Sequence, residues 1–126
     1  MLKISRAALA LVFIVAGVAH FVSPGAYVAI MPTSLPWPVA LVYISGVAEI
    51  AGGAGVLFAR TRRTAALGLM ILLVAVFPAN IHAAQSGMIL FGWSVPPWIL
   101  WLRLPLQAVL IAWVYFVGWK DREVPR

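Results

Sequence analysis

Hydrophobic residues fill four long blocks of the chain, at residues 4–21, 39–58, 64–84 and 98–118, and polar residues gather between them. Each block is close to the roughly 20 residues that a helix needs to cross the hydrocarbon core of a bilayer. None has the strict alternation of apolar and polar positions that a barrel strand requires. In lipid the backbone must satisfy its own amides, which only helices and closed barrels do. The pattern therefore predicts an all-α fold, a four-helix transmembrane bundle forming one domain over residues 1–126.

The cations add a direction to this picture. Lys3 and Arg6 precede the first block, Arg60, Arg62 and Arg63 join the second to the third, and Lys120, Arg122 and Arg126 follow the fourth. The connections at residues 22–38 and 85–97 hold no Lys or Arg. By the positive-inside rule both termini and the Arg60–Arg63 turn are expected to be cytoplasmic, in a multi-pass protein of the inner (plasma) membrane. Lys3 and Arg6 ahead of an apolar run, with Gly17-Val18-Ala19 after it, also resemble a secretory signal. The run is long for one, however, and its loss would leave an odd number of spans before a basic C-terminus, so it is read as a retained span.

The two cation-free connections, "SPGAYVAIMPTSLPWP" and "QSGMILFGWSVPPW", are rich in Pro, Trp and Gly. They are expected as loops in the headgroup zone that cap the outer end of the bundle. Trp37, Trp93, Trp98 and Trp101 then form an outer aromatic belt, with Trp113, Tyr115 and Trp119 toward the inner one.

Composition agrees and excludes several chemistries. With 64% hydrophobic and 10% charged residues, a water-soluble domain of 126 residues would be coated in apolar side chains. Cysteine is absent, so thiolate nucleophiles, thiolate-ligated zinc and iron–sulfur clusters are excluded as chemistry of this chain alone. The net charge of +6 does not point to nucleic acid, because the cations sit at the ends of apolar blocks instead of forming one stripe. The expected partner is the lipid bilayer.

Polar residues inside the blocks are the candidates for function, since ionisable groups at membrane depth are costly and by default functional. Asp121 and Glu123 lie after the last block, leaving Glu49 as the one carboxylate within a span. It sits about 15 Å deep by helix rise, where it is expected to be protonated or paired. Ser45, Gly46, Gly52 and Gly53 are placed on its face, where small residues let a neighbouring helix approach.

Arg103 stands in "WLRLPLQ", with Gln107 four residues on along the same face and Pro105 near the helix start, where a lost N–H is tolerated. The face Arg103, Gln107, Leu110, Val114 is predicted to point inward; the alternative is that Arg103 snorkels to the headgroups. A direct Arg103–Glu49 contact is a stretch, given a depth gap of roughly 7 Å.

His20 and His82 end the first and third blocks and lean toward the membrane centre. His20 is read as a cavity residue and His82 as an interfacial histidine bonding a helix end or loop carbonyl. Pro78 frees the carbonyl of Val74, which Asn80 or a water could help satisfy. Asn80 and His82 are about 200° apart on an ideal helix, so only one faces the interior, and Asn80 is the choice. The ligand-binding or proton-relay candidates are thus His20, Glu49, Asn80, Arg103 and Gln107, with Tyr43, Ser45 and His82 secondary. No catalytic residue and no metal-ligating set is assigned.

The stretches "GVAHFVSP", "YISGVAEIAGGAGVL", "ARTRRTAALGL", "LVAVFPAN" and "WLRLPLQAVLIAW", in this order and spacing over residues 6–119, resemble the small DoxX-like membrane proteins of the DoxX/DoxD superfamily. The resemblance implies a four-helix transmembrane bundle. It also implies an association with quinone-linked sulfur oxidation and membrane redox complexes, and for one relative with disulfide chemistry, which a cysteine-free chain would serve only through a partner. His20, Glu49, Pro78, Asn80, Arg103, Pro105 and Gln107 match the family pattern, which supplies no catalytic residue to carry over.

The expected function is accordingly a redox-associated subunit that binds a quinone or other small ligand in an outer-half polar cavity, as a homo-oligomer or with a membrane redox partner. A proton-coupled transporter acting as a dimer is an alternative. The small multidrug-resistance exporters are similar in size, but their glutamate is in the first span whereas Glu49 is in the second. A non-catalytic assembly subunit is another, and a haem between His20 and His82 is the weakest.

Overall fold

The computed structural model describes residues 2–31, 36–90 and 92–119. Lys120, Arg122 and Arg126, used above as topology signals, lie outside the described residues. Helices α1 (Leu2–Val22), α2 (Pro24–Ile30), α3 (Pro38–Val56), α4 (Arg62–Ser86) and α5 (Pro97–Val114) follow in order, with a small hairpin, β1 (Ile89–Leu90) and β2 (Trp93–Ser94), between α4 and α5. A π-helical turn, Tyr115–Trp119, continues α5. The segments Lys3–Val22, Pro38–Val56, Arg62–Ser86 and Pro97–Trp119 are long and apolar enough to cross a membrane. The chain is an all-α, four-helix bundle of a multi-pass membrane protein.

The spans agree with the hydrophobic blocks to within two residues at every end, α3 ending at Val56 and α4 beginning at Arg62. The intervening turn is tied by side chains to the carbonyls that α3 leaves unpaired at its end. Thr61 Oγ1 donates to the Gly55 carbonyl at 2.7 Å, and the buried Arg62 Nε donates to the Val56 carbonyl at 2.8 Å. Arg62→Met is expected to lower stability by about 2 kcal/mol, the worth of a charge-assisted bond to a buried carbonyl, read as the unfolding midpoint in mixed micelles.

Small residues decide how α1 lies on α3. A Cβ on Gly17 would fall 2.6 Å from the Gly46 carbonyl oxygen, and one on Gly53 would fall 3.0 Å from the Ala10 carbonyl oxygen. Backbone thus meets backbone along this interface, which is how helices associate where lipid removes the hydrophobic drive. Gly52 does not share that face as expected: it turns to α4, where a Cβ would strike the Leu69 side chain at 2.5 Å. Successive helix positions are 100° apart, so Gly52 and Gly53 serve two different neighbours.

One end of the bundle gathers the start of α1, the α3–α4 turn and the π-helical turn, and so holds Lys3, Arg6, Arg60, Arg62 and Arg63. Here Leu9, Phe13, Val56, Ala66, Leu69, Leu73, Val114 and Val117 form a buried core. Trp113 Nε1 donates to Ser5 Oγ at 2.8 Å, and the Arg63 guanidinium lies 4.2 Å over the Trp119 ring.

The opposite, distal end has its own core of Ile30, Ala83, Ala84, Met88, Val95 and Leu100. Both connections expected as loops there contain regular structure: α2 and the hairpin, whose pairs are Ile89 with Ser94 and Leu90 with Trp93. Trp37, Trp93, Trp98 and Trp101 are exposed around this end. The bundle is continuous from α1 to α3 to α4 to α5, but among the described residues α5 returns to α1 chiefly at the basic end. Farther along, α1 and α5 make at most marginal contact.

Candidate functional site

Between the two cores lies a cavity of about 710 Å³ lined by α1 to α5. His20, Ser45, Glu49, Asn80, Arg103 and Gln107 all line it, among mostly apolar neighbours. These six come together because each faces inward from its helix, and residues that pack flank them: Phe13 and Gly17 beside His20, Gly46 and Gly53 beside Glu49.

The polar groups form two clusters. On the α1–α3 side, His20 and Glu49 are both buried, and His20 Nδ1 is 3.4 Å from Glu49 Oε2. The same Nδ1 lies 2.8 Å from the Ala16 carbonyl. With its proton directed to that carbonyl, the histidine approaches Glu49 without bonding it. Glu49 Oε2 is buried with no hydrogen-bond partner among the described residues.

On the α4–α5 side the groups form a chain. Arg103 Nη2 donates to Asn80 Oδ1 at 2.9 Å, Asn80 Nδ2 donates to Gln107 Oε1 at 2.6 Å, and Gln107 Nε2 donates to the Leu73 carbonyl. Arg103 Nη1 also reaches Met88 Sδ at 3.6 Å. The Leu73 carbonyl is one residue before the one Pro78 frees, so it is an α5 side chain, and not Asn80, that reaches across to the α4 backbone beside the proline. The reason is that Asn80 is already committed at both ends of its amide.

Three other expectations have different outcomes: the direct Arg103–Glu49 contact judged a stretch is not made, Tyr43 is corrected, and His82 meets a carbonyl at a helix end as expected of an interfacial histidine. Arg103 does not meet Glu49 directly; it is held by Asn80 on the far wall, and neither of these two charged groups bonds the other. Tyr43 points away from the cavity: it is 38% exposed and stacks on Phe21 with ring centroids 5.2 Å apart. It follows the buried Val42 by one helix position, about 100° of rotation, which takes it out of the bundle. His82 is outside the cavity as well, with Nδ1 3.2 Å from the Ile30 carbonyl and Nε2 3.4 Å from Ser86 Oγ. His20 and His82 therefore do not face one space as a haem's two axial ligands must. Among the described residues no three His, Cys, Asp or Glu stand together as a metal site.

Tyr27 is the site residue that the sequence reading missed. It lies in α2, lines the cavity, and stacks on His20 with centroids 4.0 Å apart and planes 16° from parallel. Burial first, then the neighbouring Glu49 charge, push the Tyr27 phenol above its ordinary range, so it is a neutral hydroxyl at physiological pH. The signal that could have found it is Ser23-Pro24, a helix-start pair with Pro at the first helical position, followed by apolar residues.

Fold and site together define a small multi-pass helical membrane protein with a mostly apolar cavity inside its bundle, into which a few polar groups converge. Residues 9–118 match the model of a family described as a domain of unknown function, DUF8561, and the chain belongs to that family. No curated protein and no solved structure matches it.

Proposed function

We propose that the cavity binds the ring headgroup of a lipid-soluble quinone or quinol, and that the protein is a redox-associated subunit of the inner (plasma) membrane with its basic end cytoplasmic. The orientation rests on the positive-inside rule, Lys3, Arg6, Arg60, Arg62 and Arg63 being at one end. The cavity then opens in the extracytoplasmic half.

The observation that carries this reading is the unbonded Glu49 Oε2 on one wall of an apolar cavity, opposite an arginine held in place by Asn80. A buried acceptor without a donor is costly and calls for one. A ring with oxygens at opposite edges answers both walls: a hydroxyl edge donates to Glu49, and the other oxygen accepts from Arg103. Ligand sites are commonly apolar clefts of this size with a few convergent polar groups. The DoxX resemblance supports the same ligand class. With no cysteine in the chain, any thiol redox chemistry belongs to a partner protein.

Protein purified in mild detergent is expected to retain quinone, measured by extraction and mass spectrometry. Glu49→Gln, which keeps the shape but weakens the acceptor, is expected to lower affinity for an added quinol about tenfold, the scale of one charge-assisted hydrogen bond. A quinone-free preparation whose melting temperature is unmoved by quinone analogues would rule the reading out.

A further inference from the structure

Residues of both cores line the cavity toward the two ends of the bundle. Toward the basic end Phe13, Leu73 and Leu110 floor it above the first core, and toward the distal end Tyr27 and Ile30 of α2 roof it. Its sides are not equally closed. Helix α1 lies tightly on α3, and α4 on α5, whereas among the described residues α1 and α5 meet chiefly at the basic end, through the Trp113–Ser5 bond and the π-helical turn. On this seam Val12 of α1 and Leu106 of α5 line the cavity while remaining 43% and 45% exposed. A residue that faces a cavity and the outside together marks its mouth, and the outside at this depth is hydrocarbon. The polar groups stand behind these two apolar side chains: His20 two helical turns from Val12, and Arg103 and Gln107 on either side of Leu106.

We infer that the gap between α1 and α5 is a lateral doorway to the bilayer, through which the ligand enters headgroup first and in which its apolar tail stays lodged between Val12 and Leu106. The inference rests on reading the cavity as a ligand site and adds the route and the shape of the ligand. A cavity of about 710 Å³ encloses a ring but not a polyprenyl chain, so the tail of a bound ligand must leave the bundle somewhere. Lipid is as apolar as the tail, so no hydrophobic gain holds it in the seam. The seam acts sterically, by giving the tail an exit while the ring meets Glu49 and Arg103.

The test compares two probes in lipid nanodiscs: a dimethoxy-methyl-benzoquinone without a side chain, and its decyl derivative. Val12→Trp and Leu106→Trp fill the doorway with bulk at positions already facing lipid. Each is expected to weaken the decyl probe about tenfold more than it weakens the tailless probe. Retained binding of the tailless probe shows in the same sample that the variant is folded. Equal binding of the decyl probe by wild type and both variants would overturn the doorway. So would a loss confined to Ala75→Trp, which would move the entrance to the α3–α4 side, where Ala75 also lines the cavity and is exposed. Wild-type protein that binds neither probe would refute the quinone reading itself, and the doorway with it.

Discussion

Gly17→Leu is expected to leave little folded protein in mild detergent. A Cβ there would sit 2.6 Å from the Gly46 carbonyl oxygen and 2.7 Å from Ile50 Cγ1, so the first added carbon already collides with backbone. Backbone cannot turn aside as a side chain does, and the remaining leucine atoms would force α1 off α3 along a contact set by Gly17, Gly46 and Gly53. Overpacking in a core costs about 1–3 kcal/mol and more where backbone must move. This is a large share of the stability of a small domain. His20 and Glu49 are on the two helices that would part, so ligand binding should fail with the fold. Gly68→Ala is the matched control: a Cβ there meets nothing within 4 Å, and alanine is the better helix former by about 1 kcal/mol. Thermal unfolding monitored by circular dichroism reads both. A Gly17→Leu protein that melts with wild type would mean that α1 and α3 are not in backbone contact.

Asn80→Leu is expected to cost about 2–3 kcal/mol, because one side chain holds two others. Its Oδ1 anchors Arg103 and its Nδ2 is bonded to Gln107 Oε1, so leucine leaves a half-buried guanidinium and a buried amide oxygen without these partners. Interhelical hydrogen bonds in membranes average well below their nominal worth, since the separated helices find other partners. The estimate stays high here because a charge is involved. The chain arrangement makes a sharper prediction. In Asn80→Leu/Gln107→Leu the orphaned Gln107 oxygen is removed along with its former donor, so the double variant should be more stable than the sum of the singles by about 1 kcal/mol. Strict additivity would show that the three residues do not act as a unit. Arg103, freed from Asn80, would also swing toward the headgroups, so both variants should bind quinol less well than their stability alone explains.

The residues most legible in the sequence were those whose burial in lipid has a single explanation. Glu49, Asn80, Arg103 and Gln107 stood out as polar groups in apolar runs, and all four line the cavity. Tyr27 did not stand out, because a tyrosine in a Pro- and Gly-rich connection is ordinary; it became a site residue only when α2 folded over the bundle and stacked it on His20. Tyr43 misled for the opposite reason. It is close to Glu49 in sequence, but its position on the helix turns it toward Phe21 and the exterior.

The sequence by itself determined that four helices cross a membrane and which end of the bundle is basic, because a bilayer imposes a length and an apolarity that single segments must meet alone. It also limited the polar residues to a short set. Only the tertiary structure decided their pairing, with Arg103 given to Asn80 and Glu49 set beside His20 with its Oε2 lacking a hydrogen bond, and only it placed the α1–α5 gap. Those outcomes depend on the rotation and tilt of each helix. These are fixed by close contacts such as Gly17 on Gly46, between residues far apart in the chain, and no local pattern of hydrophobicity carries that information.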